Sequence, residues 1–218
     1  MRPLPCVHAF LTTSLLVLAT ATPAADLSVR VLDKSGQPLA DAVVLVDSAV
    51  PGSQPPPVME ATIRQEKMRF KPYVTVVHTG ARVSFTNLDA WDHHVILGSV
   101  GPGGFYLDAT QNQQMRLAGK VGETVARDSR VVAKPGAYLL GCHLHSSMRG
   151  HLYVADSPWS RVSEADGQAV LTGLPAGPAR VRIWHPDQVL EGAPTAVEVG
   201  AGGSAVTVNT AIITARRR

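Results

Sequence analysis

The chain has 218 residues, of which 45% are hydrophobic, 17% charged and 5% aromatic, with a formal net charge of +3. This is too apolar and too weakly charged for a disordered chain, so at least one packed core is expected. Two cysteines support neither a disulfide-rich scaffold nor a four-thiolate zinc site, and 20 basic against 17 acidic residues leave no broad field for nucleic acid.

In chain order, Arg2 followed by the apolar run Ala9–Ala21 and the small residues Thr22-Pro23-Ala24-Ala25 reads as a secretory signal peptide over residues 1–25, with cleavage after Ala24 or Ala25. The apolar run is shorter than the ~20 residues of a spanning helix, and no other segment reads as membrane-spanning. Export to the periplasm is therefore expected. Removing 25 of 218 residues leaves 193, with 20 − 1 = 19 basic and 17 acidic groups, and takes away Cys6 and His8. Cys142 then stands alone in an oxidising compartment, where a thiol needs burial, an interchain partner or a metal.

Strand patterns dominate the remainder. Leu27–Val31 alternates and is followed by the turn Asp33–Gly36; Ala42–Val46 is a second strand, and Ser48–Pro57 is a proline-rich break. Tyr73–His78 and Ala81–Thr86 follow, with Val83 and Phe85 on one face. Between Ser99 and Arg130 the pattern is weak: Gly101–Gly104 is a loop and the Gln-rich Ala109–Ala118 has little periodicity. A turn at Lys134–Gly136 leads to strands Ala137–Leu140 and Gly150–Val154. Turns at Asp166-Gly167 and Leu174–Gly177 then separate strands at Ala169–Leu171, Arg180–Trp184, Ala196–Val199 and Ala205–Ile213. No window predicts an amphipathic helix of useful length, so the expected fold class is all-β.

Cys142, His145 and Met148 lie on one short loop between two predicted strands, and Asp92-His93-His94-Val95 follows a strand end far away in sequence. Thiolate, two imidazoles and a weak thioether are the donor set of a mononuclear copper electron-transfer site. Zinc competes for Cys and His, but a thioether suits it poorly. Taken singly, a buried cysteine or a strand-edge methionine is ordinary core; it is their order and spacing that point to a metal.

With those residues the chain resembles the cupredoxins over about residues 60–155. Val83–Val95 is similar to the family's first-ligand loop, with a histidine six residues after Asn87, and Cys142-x2-His145-x2-Met148 has the amicyanin spacing. The resemblance implies a Greek-key β-sandwich holding one type 1 copper, with His93, Cys142 and His145 as ligands and Met148 on the axis. It also implies that Asn87 braces the ligand loops. His94 stands where plastocyanin and amicyanin carry asparagine, so either histidine of the pair remains open, with spacing favouring His93. His143, directly after the cysteine, resembles the wiring of multicopper oxidases, but one His-x-His segment is too few for a trinuclear cluster. His78, His151 and His185 read as surface or turn histidines, and Trp91 as either core or part of an apolar docking patch.

Val29–Val44 and Glu164–Gly177 resemble successive stretches of a carboxypeptidase regulatory-like β-sandwich. The expected organisation is therefore a small sandwich, residues 26–57 plus 157–213, interrupted by a cupredoxin domain, 58–156, with a basic tail at 214–218. The order is similar to exported chains of the methylamine-utilisation or plastocyanin-like type. The function implied is single-electron transfer between redox partner proteins, with no enzyme activity. Two alternatives stay open: a periplasmic copper-binding or delivery protein, and carbohydrate or cell-wall contact through the flanking sandwich.

Overall fold

The computed structural model describes residues 24–52, 54–101 and 108–214. The signal segment expected over 1–25 lies outside the described residues up to residue 23, as do residues 102–107 and 215–218. Among the described residues the structure is β throughout, with one short 3-10 turn at Ala109–Gln111 and no helix long and apolar enough to cross a membrane.

Four sheets pair off around two apolar cores. In the first pair, β1 (Ala24–Leu32) lies between β13 (Gln168–Pro175) and β16 (Ser204–Asn209), antiparallel to the former and parallel to the latter. Facing it, β2 (Val43–Ser48) lies between β12 (Trp159–Val162) and β14 (Gly177–Trp184), and β15 (Thr195–Val199) edges the sheet. The alternation of β1 places Leu27, Val29 and Val31 inward, where they meet Val44, Val46, Trp159, Leu171 and Val181. Burying one face while the other stays wet is what holds this register, because a one-residue slip would expose every apolar side chain.

The second pair consists of β4 (Phe70–Lys71), β3 (Glu60–Gln65), β6 (Ala81–Asn87) and β9 (Arg127–Val132) in one sheet. The other has the order β5 (Val74–His78), β11 (Arg149–Ala155), β10 (Gly136–Cys142), β7 (His93–Ser99) and β8 (Gln113–Leu117). Ile63, Val83 and Phe85 from one sheet and Val95, Leu97, Leu140 and Leu152 from the other are all at most 1% exposed and form its core. The two pairs of sheets meet where Val43 and Leu45 of β2 pack on Val74, Tyr153 and Ala155. Strands β2 and β11 are thus covered on both faces, which explains why Val43-Val44-Leu45-Val46 is a continuous apolar run and not an alternation.

The all-β reading holds, and several strands are longer or more numerous than the sequence predicts. Strand β1 starts at Ala24, and Ala25, 5% exposed, belongs to its core. The Gln-rich stretch forms β8: Met115 and Leu117 point inward while Gln114 and Arg116 face out, too short an alternation to stand out. The sequence pattern does not predict β3, β9 or β12. Strand β3 offers Ile63, the buried Gln65 and a partly buried Ala61 to the interior, and β9 is an edge strand with no fully buried position before Val132. At the other end β16 stops at Asn209, where the Thr210 hydroxyl donates to the Leu32 carbonyl at 2.9 Å.

Ser163 ties the beginning of the chain to its second half. Its hydroxyl accepts from the Ala42 amide at 2.9 Å and donates to the Leu39 carbonyl at 2.7 Å, and the residue is 4% exposed. Ser163→Ala leaves both backbone groups buried without this partner. Chemical denaturation should therefore show a loss of about 1–3 kcal/mol; an unchanged midpoint would mean that water reaches these groups.

Candidate metal centre

The antiparallel pair β7–β10 places Cys142 opposite Val95, which brings the start of one strand to the end of the other. Because side chains alternate across a strand, His93, Val95 and Leu97 face the core together with Cys142 and Leu140, while His94 and His143 face out. The loop after β10 turns back at once: the Met148 amide donates to the His145 carbonyl at 2.9 Å, which presents the His145 ring to the other two residues.

Three donor atoms converge. Cys142 Sγ lies 3.6 Å from His93 Nδ1 and 3.6 Å from His145 Nδ1, and the two Nδ1 atoms are 3.2 Å apart. His93 is 0% exposed and Cys142 6% exposed, with His145 half-buried above them. A cation at ~2.0–2.1 Å from nitrogen and ~2.3 Å from sulfur spans donor–donor edges of about 3.3–3.8 Å as its angles open from tetrahedral to trigonal. The triangle fits one such ion, and His93, Cys142 and His145 can hold it.

Asp89 decides which nitrogen of His93 is free. Its Oδ2 accepts from His93 Nε2 at 2.9 Å. An ionised carboxylate only accepts, so the proton sits on Nε2 and the bare Nδ1 lone pair faces Cys142 and His145. Burial pushes the Asp89 pKa up, but hydrogen bonds from the Met68 amide, from His93 and from the Lys67 amide outweigh it and hold the carboxyl below its ordinary range. The two amides, at 3.0 and 2.6 Å, belong to the turn between β3 and β4, where Lys67 (φ 53°) and Met68 (φ 57°) are both left-handed. Successive amides in this conformation form a concavity for an anion, and Asp89 supplies it.

Asn87, 0% exposed, pins the same loop. Its Nδ2 donates to the carbonyls of Trp91 (2.8 Å), Ala118 (2.9 Å) and Leu117 (3.2 Å), and its Oδ1 accepts from the Asp89 amide at 2.9 Å. Gly119 completes the contact: its amide donates to Asp92 Oδ1 at 2.9 Å, and a Cβ there would sit 2.8 Å from the Trp91 amide nitrogen and press on the Ala90 carbonyl.

The structure therefore joins His93, Cys142 and His145, and leaves His94 out. Met148, 1% exposed, lies in the apolar cluster that contains Cys142. Trp91 is 46% exposed and so is not a core aromatic. Of the histidines read as surface or turn residues, both His151 and His185 are buried: His151 is 8% exposed with Nε2 3.1 Å from the Tyr73 hydroxyl, and His185, 1% exposed, opens the turn 185–188 with its Nε2 donating to the Ala40 carbonyl. His78 bridges the Val58 amide and the Ser157 carbonyl. Sequence reasoning missed Asp89, although an acid four residues before a candidate ligand is a usable signal. The Lys67-Met68 turn carries none, since such turns ordinarily use Asn-Gly.

No protein-family model matches the chain, and no curated protein matches it. Among solved structures it is similar to a point mutant of amicyanin in the Cu(I) form, at 21% identity over 44% of this chain and 83% of that one, with a TM-score of 0.33. It is similar to reduced auracyanin from Roseiflexus castenholzii, at 21% identity over 44% and 97%, with a TM-score of 0.34. It is also similar to the purple cupredoxin from Nitrosopumilus maritimus, at 21% identity over 44% and 99%, with a TM-score of 0.34.

Proposed function

We propose that this chain is an exported carrier of single electrons that uses one type 1 copper. The observation that carries the reading is the convergence of two Nδ1 atoms and one Sγ within 3.6 Å of one another at the end of a rigid β-sandwich. His93, Cys142 and His145 would hold the ion, with the Met148 thioether as a weak fourth donor; that soft set favours copper over zinc. The bound copper supplies a reversible Cu(II)/Cu(I) couple. The protein's share is to hold the donors nearly fixed in both oxidation states, to keep bulk water from His93 and Cys142, and to leave the His145 side accessible.

Asp89 orients the His93 ring and places a negative charge behind it; Asn87 fixes the loop that carries both. Exposed Trp91 and Leu144, at 46% and 54%, flank this end and suit a redox partner protein that docks through apolar contact. We also take residues 26–57 and 157–213 as one β-sandwich interrupted by a copper domain, 58–156. The pairing of β1 with β13 and β16, and of β2 with β12 and β14, supports that division. The short apolar segment before residue 24 supports export to the periplasm.

Two measurements test the reading. The Cu(II)-loaded chain should show an intense visible thiolate-to-copper band and a reversible one-electron couple, and Cys142→Ala should abolish the band. A colourless Cu(II) form, or tight Cu(I) binding without a reversible couple, would instead favour the delivery reading. Asp89→Asn keeps the shape of the side chain but removes its charge and its fixed acceptor. Its copper affinity should fall about 10- to 100-fold, and its reduction potential should rise because the more highly charged Cu(II) state loses more stabilisation. If chelator competition and voltammetry both match the parent, Asp89 is only a structural residue.

A further inference from the structure

The strand pair that carries His93 and Cys142 on its inner face carries a pair of imidazole side chains on its outer face. His94 and His143 are cross-strand neighbours, one step from the Val95–Cys142 pair, and the His143 amide donates to the His94 carbonyl at 3.0 Å. Their ring centroids are 5.0 Å apart with an interplanar angle of 42°. The inner histidines, His93 and His145, which converge on a single point through their Nδ1 atoms, have centroids 4.9 Å apart. The outer pair thus has the spacing at which two imidazoles reach one ion.

The outer rings are also available. Neither has a hydrogen-bond partner among the described residues, whereas both nitrogens of His78 and of His185 are engaged and His151 is bonded to Tyr73. His143 is exposed and His94 half-buried, so water can complete the coordination of an ion held there. Arg116, the cross-strand neighbour of His94 on β8, turns its guanidinium to Asp92 at 3.1 Å, which offsets its charge.

We propose that His94 and His143 form a second, solvent-facing site for a divalent transition ion of the kind imidazole favours, such as Zn(II) or Cu(II). The two rings supply neutral nitrogen donors already aligned by the β7–β10 ladder, so binding orders little beyond two side-chain torsions. Because His94 and His143 are directly bonded in sequence to His93 and Cys142, an ion here adds positive charge behind the inner centre.

The site itself does not rest on the copper reading, and the test separates them. Zinc titration of the full chain, followed by equilibrium dialysis and metal analysis, should give two ions per chain. His94→Ala and His143→Ala should each weaken one of the two at least ~10-fold, about 1.4 kcal/mol, and Cys142→Ala should remove the other. In the unmutated protein the second equivalent should shift the side-chain NMR resonances of His94 and His143 together. Equal zinc stoichiometry and affinity in His94→Ala, His143→Ala and the parent would overturn the proposal, as would resonances of the two rings that zinc leaves unmoved. A chain with no visible copper band that still loses one zinc in His143→Ala would defeat the copper reading and leave this site standing.

Discussion

A carboxylate buried at 7% exposure is expensive unless donors surround it, and at Asp89 they come from two separate parts of the chain. The Lys67 and Met68 amides reach it from the β3–β4 turn, and the His93 imidazole from the start of β7. Its own amide is held by Asn87 at the end of β6. Left-handed backbone at two non-glycine residues costs ~1–2 kcal/mol each, and charge-assisted hydrogen bonds to the carboxylate are of the size to offset it. The ligand end therefore assembles as a unit. Removing the charge at Asp89 would leave the turn strained and the His93 tautomer undetermined together.

The second constraint is the period of two along β7 and β10. It places His93 and Cys142 in the core, Val95 and Leu140 beside them, and sends His94 and His143 to the other face. No loop adjustment could exchange His93 for His94 without turning every side chain of β7 over, so the choice between adjacent histidines is made by the whole strand. The same alternation leaves His94 beside His143 on the outer face, with ring centroids 5.0 Å apart, while the loop after β10 brings His145 to 4.9 Å from His93 on the inner one.

How much of this is readable in the sequence depends on whether the information is local. Cys142, His145 and Met148 sit on one turn, and His93 has Asn87 six residues before it, so their pattern is visible in a single pass. The strands Leu27–Val31 and Ala81–Thr86 are visible because each buries one face. Strand β8 is not, since Gln113–Leu117 offers only Met115 and Leu117 to the core. Asp89 is hidden for a different reason: two of its donors are backbone amides more than twenty residues away, in a turn whose Lys-Met sequence gives no sign of its conformation. The burial of His151 and His185 is hidden because their partners, the Tyr73 hydroxyl and the Ala40 carbonyl, are 78 and 145 positions away.

Burial of β11 on both faces gives the flanking sheets a mechanical relation to the centre. Leu152 and Val154 fill the core that contains Cys142 and Met148, while Tyr153 and Ala155, one residue out of phase, pack with Val43 and Leu45 of β2. Strand β11 begins at Arg149, immediately after Met148, and at Gly150 a Cβ would lie 2.7 Å from Phe70 Cβ. A strand clamped from both sides cannot shift to relieve a change at its first residues. The loop from Cys142 to Met148 is consequently anchored at both ends, by the β7–β10 ladder and by a strand wedged between two cores. That is the condition under which so short a loop can hold its donor atoms still.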